Sequence, residues 1–465
     1  MKRASLVGLI LIVAMLTAGS IWWRSCHSEK VVKRHKLEEA LLGPLHDKRD
    51  SLTVSADGLH LAYITSQENK KLVVVDGREG TALDGVMKDS LVFSANGKRF
   101  GYVAWKNDML YTVVDGRAGA KHDGFVPDTL VFSADGRHVA YAAGDLGRMF
   151  VLVDGRKGSE YDAIGIGCVV LSPDGQRIAY AAQKGDKWVV VVDGQAGFEY
   201  EGIVPDTLVF SANGRRVAYA AEKDGRGFVV VDGRRGPEYD HIIEGTVGFT
   251  QDGKRLIYGA TKNGREFIVV DGKTGPEYDG IGRKALAYTV DGARVAYVAG
   301  QDGEAFVVVN GQPGPSYDGI IEHTLTFSAN GNHVGYAAVK GDKRLVVIDG
   351  RPGPEYDRIG KGTLVFNRDG KRVAYMAQQG DRWHVVVDDK QGPDCDGIGS
   401  GAPAFSADGK HVAYAAENEG RWRMVVDGHP GPAYDEIISK RPYFHSDGTL
   451  EYLAVKDQKL WRVRQ

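Results

Sequence analysis

Three cysteines in 465 residues, Cys26, Cys168 and Cys395, are too few and too widely spaced for a disulfide framework or a thiolate metal site. They read as buried or inert thiols. The thirteen histidines contain no His-Glu-x-x-His pair. There is no Gly-x-Ser-x-Gly elbow, no Gly-x-x-x-x-Gly-Lys-Ser/Thr phosphate loop and no Asp-x-Asp-x-Asp-Gly calcium loop. Zincin, serine-hydrolase, P-loop and EF-hand chemistry are therefore left without their residues. The glycine-rich run at 397–401 follows a turn and precedes a strand, so it offers no helix N-terminus to a phosphate. A Trp-Asp dipeptide is absent, as is any helix-length amphipathic period among the repeats described next. The net charge of −2 is small but divided. Residues 1–36 carry seven basic side chains against one acidic, and residues 37–465 carry 52 against 60. The acidic balance of the larger part argues against a nucleic-acid partner.

What the chain has instead is a phrase repeated eleven times. Thr-Leu-Val-Phe-Ser-Ala-Asp-Gly-Arg-His-Val-Ala-Tyr-Ala-Ala at 129–143 returns almost unchanged at 207–221. Its Asp-Gly or Asn-Gly turn recurs every 39 residues from Asp57 to Asp447. Two further phrases keep the same period: Val-Val-Asp-Gly, as at Asp232, and Gly-Pro-Glu-Tyr-Asp, as at 236–240. A fixed period of this length marks a solenoid, a propeller or an array. Asp-Gly between apolar runs signals a hairpin with positive φ in a two-residue turn. The β-branched and aromatic runs Val-Ala-Tyr-Ala-Ala and Phe-Val-Val-Val suit strands. Three clear strands and a short fourth fill the unit, and a repeated four-stranded antiparallel unit is a propeller blade. The expected fold is all-β, a propeller of eleven 39-residue blades over residues 43–465, as one large ring. Two tandem rings of five and six blades are the alternative. Gly43-Pro44-Leu45-His46-Asp47 is a degenerate fourth-strand phrase, so the N-terminal segment is expected to complete the last blade and close the ring.

The phrase Leu171-Ser172-Pro173-Asp174-Gly175-Gln176-Arg177-Ile178-Ala179-Tyr180 resembles the WD40-like (PD40) repeat of bacterial TolB-type propellers. The resemblance covers nearly the whole chain after residue 50. Most copies have Ala where that family favours Pro, and no N-terminal α/β domain of the TolB type precedes the repeats. The resemblance implies a propeller and says little about activity.

Ala4 to Trp23 is a run of twenty residues without a charge, ending in paired tryptophans. That length spans a bilayer as a helix, so residues 1–23 are expected to be a transmembrane anchor, with a cleaved signal sequence as the alternative. Residues 24–42 read as a basic stalk, with a short helix over 28–42. Both flanks of the apolar run are basic, the second more so, which favours a cytoplasmic propeller. The signal-like start and the family resemblance favour export to the periplasm or cell exterior, which is the reading taken.

The repeated aspartates are turn residues, since a catalytic group is needed once rather than eleven times. The basic residue three places after each turn, at Arg99, His138, Arg177, Arg216, Arg255, Arg294, His333, Arg372 and His411, is expected to pair with a neighbouring aspartate or carbonyl between blades. One variable column holds Trp188, Trp383, Trp422 and Trp461 at the start of the third strand. Packing at the blade edge and a partner-binding arc on the rim are the two readings of that column. No catalytic residue, metal or cofactor is expected. The expected function is a non-enzymatic, membrane-anchored scaffold that binds a protein. The alternatives are a carbohydrate or cell-wall binding module and an enzyme with a site in the central channel.

Overall fold

The computed structural model describes residues 37–46, 49–399, 401–439 and 441–465. These form eleven antiparallel sheets and no helix. Blade three shows the plan. Its first strand comes in two pieces, Gly124–Phe125 and Val131–Phe132, both paired with Val139–Asp145. Arg148–Val153 follows, and Arg156–Tyr161 forms the outer edge. First strands of neighbouring blades approach one another, and fourth strands lie against the next blade's second strand, so the first strands are the inner ones.

A threonine explains the divided first strand. The Thr129 hydroxyl donates to the Val126 carbonyl at 2.6 Å and accepts the Ala142 amide at 3.0 Å, which holds the intervening residues out as a loop. Thr207, Thr246, Thr324 and Thr363 repeat the arrangement. In blades four and seven the column holds Cys168 and Ala285, which lack the hydroxyl. There the first strand runs unbroken over Ala163–Leu171 and Gly280–Tyr288. Blade ten departs from this pattern, with Ala402 beside a divided strand.

The turns differ from the expected chemistry. At Ser133-Ala134-Asp135-Gly136 the Gly136 amide bonds the Ser133 carbonyl at 2.9 Å and only the glycine has positive φ, 71°. This is a four-residue turn with glycine in the left-handed region, not a two-residue one. The two-residue geometry with both φ positive occurs at Val-Asp-Gly instead, as at Asp154 (49°) and Gly155 (78°).

The core consists of eleven hydrophobic clusters, one in each gap between neighbouring blades. One of them joins Leu453, Val455 and Leu460 of blade eleven to Leu61, Tyr63 and Val74 of blade one. That gap would stay open in two tandem rings, so the eleven blades form one closed ring. Closure uses the N-terminal strand as expected: Glu38–Pro44 pairs with Lys459–Arg464 as the outer strand of blade eleven. The propeller therefore begins earlier than residue 43, and the end of the expected helical stalk is a strand. The expected anchor at 1–23 lies outside the described residues. Among the described residues no helix is long and apolar enough to cross a membrane.

Candidate functional site

The repeated charges hold the ring together at both ends. Each Val-Asp-Gly aspartate sits at the end bearing the first hairpin turns. Asp115 Oδ1 accepts the Phe100 amide at 3.0 Å, and its Oδ2 accepts Arg99 Nε at 2.8 Å. Arg99 Nη1 then donates to the Arg137 carbonyl of the next blade at 3.0 Å. All six arginines of this column reach the next blade's turn in this way. His138, His333 and His411 bond Asp154, Asp349 and Asp427 of their own blades at 2.6–2.7 Å. His60, in the same column, bonds Asp76. The turn aspartates are occupied as well: Ser406 Oγ donates to Asp408 at 2.6 Å, and this bond leads the causes that lower the Asp408 pKa to about 2.

At the opposite end the Tyr-Asp aspartate does the stitching. Asp357 accepts Lys343 Nζ of its own blade at 2.6 Å and the Gly380 amide in the next blade's turn at 2.6 Å. Arg226–Asp240, Arg265–Asp279 and Arg382–Asp396 repeat the ion pair. Blade two breaks the series with Met109, and blade seven breaks it with Glu304 where the basic residue belongs. There a cavity of about 310 Å³ opens beside Pro315, Tyr317, Leu345 and Pro352. Among the described residues no group of three His, Cys, Asp or Glu side chains could hold a metal ion. Cys168 is half-buried and Cys395 buried, and burial pushes both thiol pKa values up.

The structure divides the four tryptophans. Trp188, Trp383 and Trp422 share one register position, opposite Gln183, Gln378 and Glu417. Trp461 does not belong with them. The last repeat is one residue shorter after its turn: the second strand starts at Leu450, two residues past Gly448, against three from Gly409 to Val412. Leu460 therefore takes the tryptophan position, opposite Val455, and Trp461 falls opposite Ala454 on the other face of the strand. The result is a pair rather than an arc of three. Trp422 and Trp461 pack from opposite sides on the cluster between blades ten and eleven, and Trp383 packs on the cluster one gap earlier. All four side chains are half-buried, so edge packing accounts for part of each ring and leaves part uncovered.

One polar cluster is not repeated. Glu451, 2% exposed, stands where the other blades have Ala, Gly or Ile. His445 Nε2 and Arg464 Nε each lie 2.7 Å from its Oε2, and Arg462 Nε lies 3.3 Å from Oε1. Arg462 also donates to the Leu59 carbonyl of blade one at 2.9 Å. The last repeat has no Val-Asp-Gly turn, and this clamp secures the closing blade in its place. The sequence signal was a glutamate in an alanine column.

His384 is 2% exposed, and neither ring nitrogen has a hydrogen-bond partner among the described residues. Phe150, Phe228, Phe267 and Phe306 hold its position in other blades. Burial pushes its pKa down. His384→Phe is expected to stabilise the fold by about 1–2 kcal/mol, because an orphaned buried polar group is removed. A folded-state pKa below the unfolded value contributes stability that is lost as pH falls through the unfolded value of about 6.5. The gap between variant and wild type, read from urea midpoints, should therefore widen below that pH.

No family model matches the chain, and no curated protein does. Among solved structures it is similar to a eukaryotic initiation factor, at 12% identity over 69% of this chain and 91% of that one, with a TM-score of 0.42. It is similar to the Dos1 propeller at 11% identity over 92% and 93%, TM-score 0.33. A third is TolB from Acinetobacter baumannii, at 13% identity over 62% and 79%, TM-score 0.25. The class of protein is set by the chain's own sheets: an eleven-bladed β-propeller.

Proposed function

We propose that the chain is a non-enzymatic scaffold of TolB-like blades that binds a protein partner on its rim. It is held at a membrane by the apolar run at 4–23, with the propeller exported. The observation that carries the binding reading is the Trp422–Trp461 pair with Trp383 one gap away. These are half-exposed aromatic rings gathered on three successive blades of a surface otherwise rich in charged side chains. Large rings that keep one face uncovered are the usual anchors of protein interfaces. The arginines that follow the first hairpin turns and the Val-Asp-Gly and Tyr-Asp carboxylates, by contrast, are engaged within and between blades.

Replacing Trp383 and Trp422 together with Ala tests the reading. The variant should stay folded, lose up to a few kcal/mol of stability from partial packing, and no longer capture the partner from cross-linked membranes. Trp→Phe at both positions should restore stability but not full capture. Undiminished capture by the Ala variant contradicts the proposal. Retention of the wild type on glycan material, with no protein captured, favours a carbohydrate ligand at the same rings.

A further inference from the structure

A second set of charges remains unspent. The residue after each Val-Asp-Gly turn is basic in most blades: Arg78, Arg117 and Arg156 in blades one to three, Arg234 and Lys273 in five and six, Arg351 and Lys390 in eight and nine. All seven are exposed. None makes an ion pair or side-chain hydrogen bond with any described residue, unlike the arginines of the inner column. One stands on each of seven blades, so together they form a ring on the outer part of one end of the propeller. Lys98 and Arg215, in the first hairpin turns, are exposed at the same end. The acids nearby are engaged or few: the Val-Asp-Gly carboxylates hold backbone amides, and Glu79 pairs with His46 at 2.9 Å. Asp389 adjoins Lys390.

The other end, named acidic for the exposed turn residues Glu68, Asp108, Asp186, Asp224, Asp302 and Asp342, is mixed in sign, because the same turns carry exposed Lys106, Lys184, Lys223 and Lys262. A set of exposed, unpaired cations with few free acids among them is found at the first end.

The first described strand starts at the basic end. The Leu45 amide donates to the Gln458 carbonyl at 2.9 Å, and Gln458 lies in an acidic-end turn, just before Lys459–Arg464. Glu38–Pro44 therefore runs from the basic end toward the acidic one. Glu39 stands at the basic end, and its Oε1 accepts the Tyr434 hydroxyl at 2.6 Å.

We infer that the basic end of the propeller lies against an anionic membrane surface, with the ring of arginines and lysines after the Val-Asp-Gly turns facing the lipid headgroups. The inference rests on the membrane attachment proposed above. An array of cations, one on each of seven blades at one end of the ring, matches a flat anionic surface better than it matches a curved or grooved partner. Basic residues near such a surface are attracted additively, and the attraction fades within a Debye length. The turns at the far end mix acids with lysines and gain less from such a surface, so charge favours this orientation.

The test uses the full-length chain mixed with vesicles of phosphatidylcholine alone, or with phosphatidylserine added. Flotation is read first, then amine labelling of individual lysines by mass spectrometry. Lys273 and Lys390 should be labelled several-fold more slowly on the anionic vesicles only, with protection lost at high salt. Lys184 and Lys223, in turns at the acidic end, should label equally in both. Changing Arg117, Arg156 and Arg234 all to Glu should abolish the protection without altering the fold, since all three are exposed. Flotation with both lipids but equal labelling of Lys273 and Lys390 overturns the inference and leaves the anchor standing. Protection on anionic vesicles without flotation on neutral ones supports the ring and removes the anchor. Flotation with neither removes both, and protection of Lys184 and Lys223 instead reverses the orientation and overturns it.

Discussion

A chain lacking residues 38–44 will lose about 4–6 kcal/mol of stability and will self-associate. The missing strand is the outer edge of blade eleven, and it leads into Leu45, 7% exposed in the cluster that joins blade eleven to blade one. Leu42, half-buried against the same cluster, goes with the strand. Losing burial of two leucines removes about 2–3 kcal/mol each, and the hydrogen bond from Tyr434 to Glu39 is lost as well. The edge of Lys459–Arg464 then stands unpaired and can recruit another chain. Gly43 and Gly77 show how closely the seam fits: a Cβ on Gly43 would come within 2.7 Å of the Gly77 carbonyl oxygen. Denaturant midpoints together with light scattering check the prediction. Leu41→Asp serves as control, because Leu41 on the same strand is 53% exposed and should tolerate the charge. An unchanged midpoint and a monomeric deletion variant would mean that the N-terminal strand does not close the ring.

The second large effect is expected in alkali. Seven gaps hold a tyrosine from the Tyr-Asp phrase packed edge-on against the second-strand tyrosine of the next blade, with ring centres 6.0–6.3 Å apart. Burial pushes the phenol pKa of Tyr102 and Tyr452 up to about 12. Tyr219, Tyr258 and Tyr375 are pushed up by the same cause. A folded-state pKa above the unfolded value of about 10 contributes stability that is fully present below pH 10 and lost as pH rises through the folded value. Many such groups titrate together on unfolding, so the ring should unfold cooperatively between about pH 10 and pH 12. The absorbance of these five tyrosinates should appear with the loss of β signal in circular dichroism rather than ahead of it. Tyr452→Phe should move the midpoint upward, since the Tyr452 hydroxyl has no hydrogen-bond partner among the described residues. Ionisation of Tyr102, Tyr219, Tyr258, Tyr375 or Tyr452 near pH 10 in a still-folded protein would contradict the packing described here.

The architecture was largely legible because every blade repeats the same physical solution. The 39-residue period, the strand composition and the degenerate phrase at 43–47 led to eleven blades and to closure by the N-terminal segment. The less legible features depended on one-residue details. The turn type failed because Asp-Gly signals a two-residue turn only where the flanking strands pair directly up to it. At Ser133-Ala134-Asp135-Gly136 the serine hydroxyl, 2.6 Å from Asp135 Oδ1, and the Gly136 amide close a wider turn. Trp461 was misplaced because counting from Asp447 hides the residue missing after Gly448. Glu451 is a lone glutamate in a column of Ala, Gly and Ile, and only the strands of blade eleven place His445, Arg462 and Arg464 around it. The basic residues after Val-Asp-Gly look like ordinary turn charges in the sequence. Only the topology, which puts all those turns at one end, makes them a ring.

The central claim is that all eleven blades close a single ring through the N-terminal strand. Electron microscopy of the full-length protein tests it most directly, by counting blades in end-on averages. One ring of eleven blades around a single opening is the predicted result. Two smaller rings, or an open arc with a gap between the first and last blades, would contradict it.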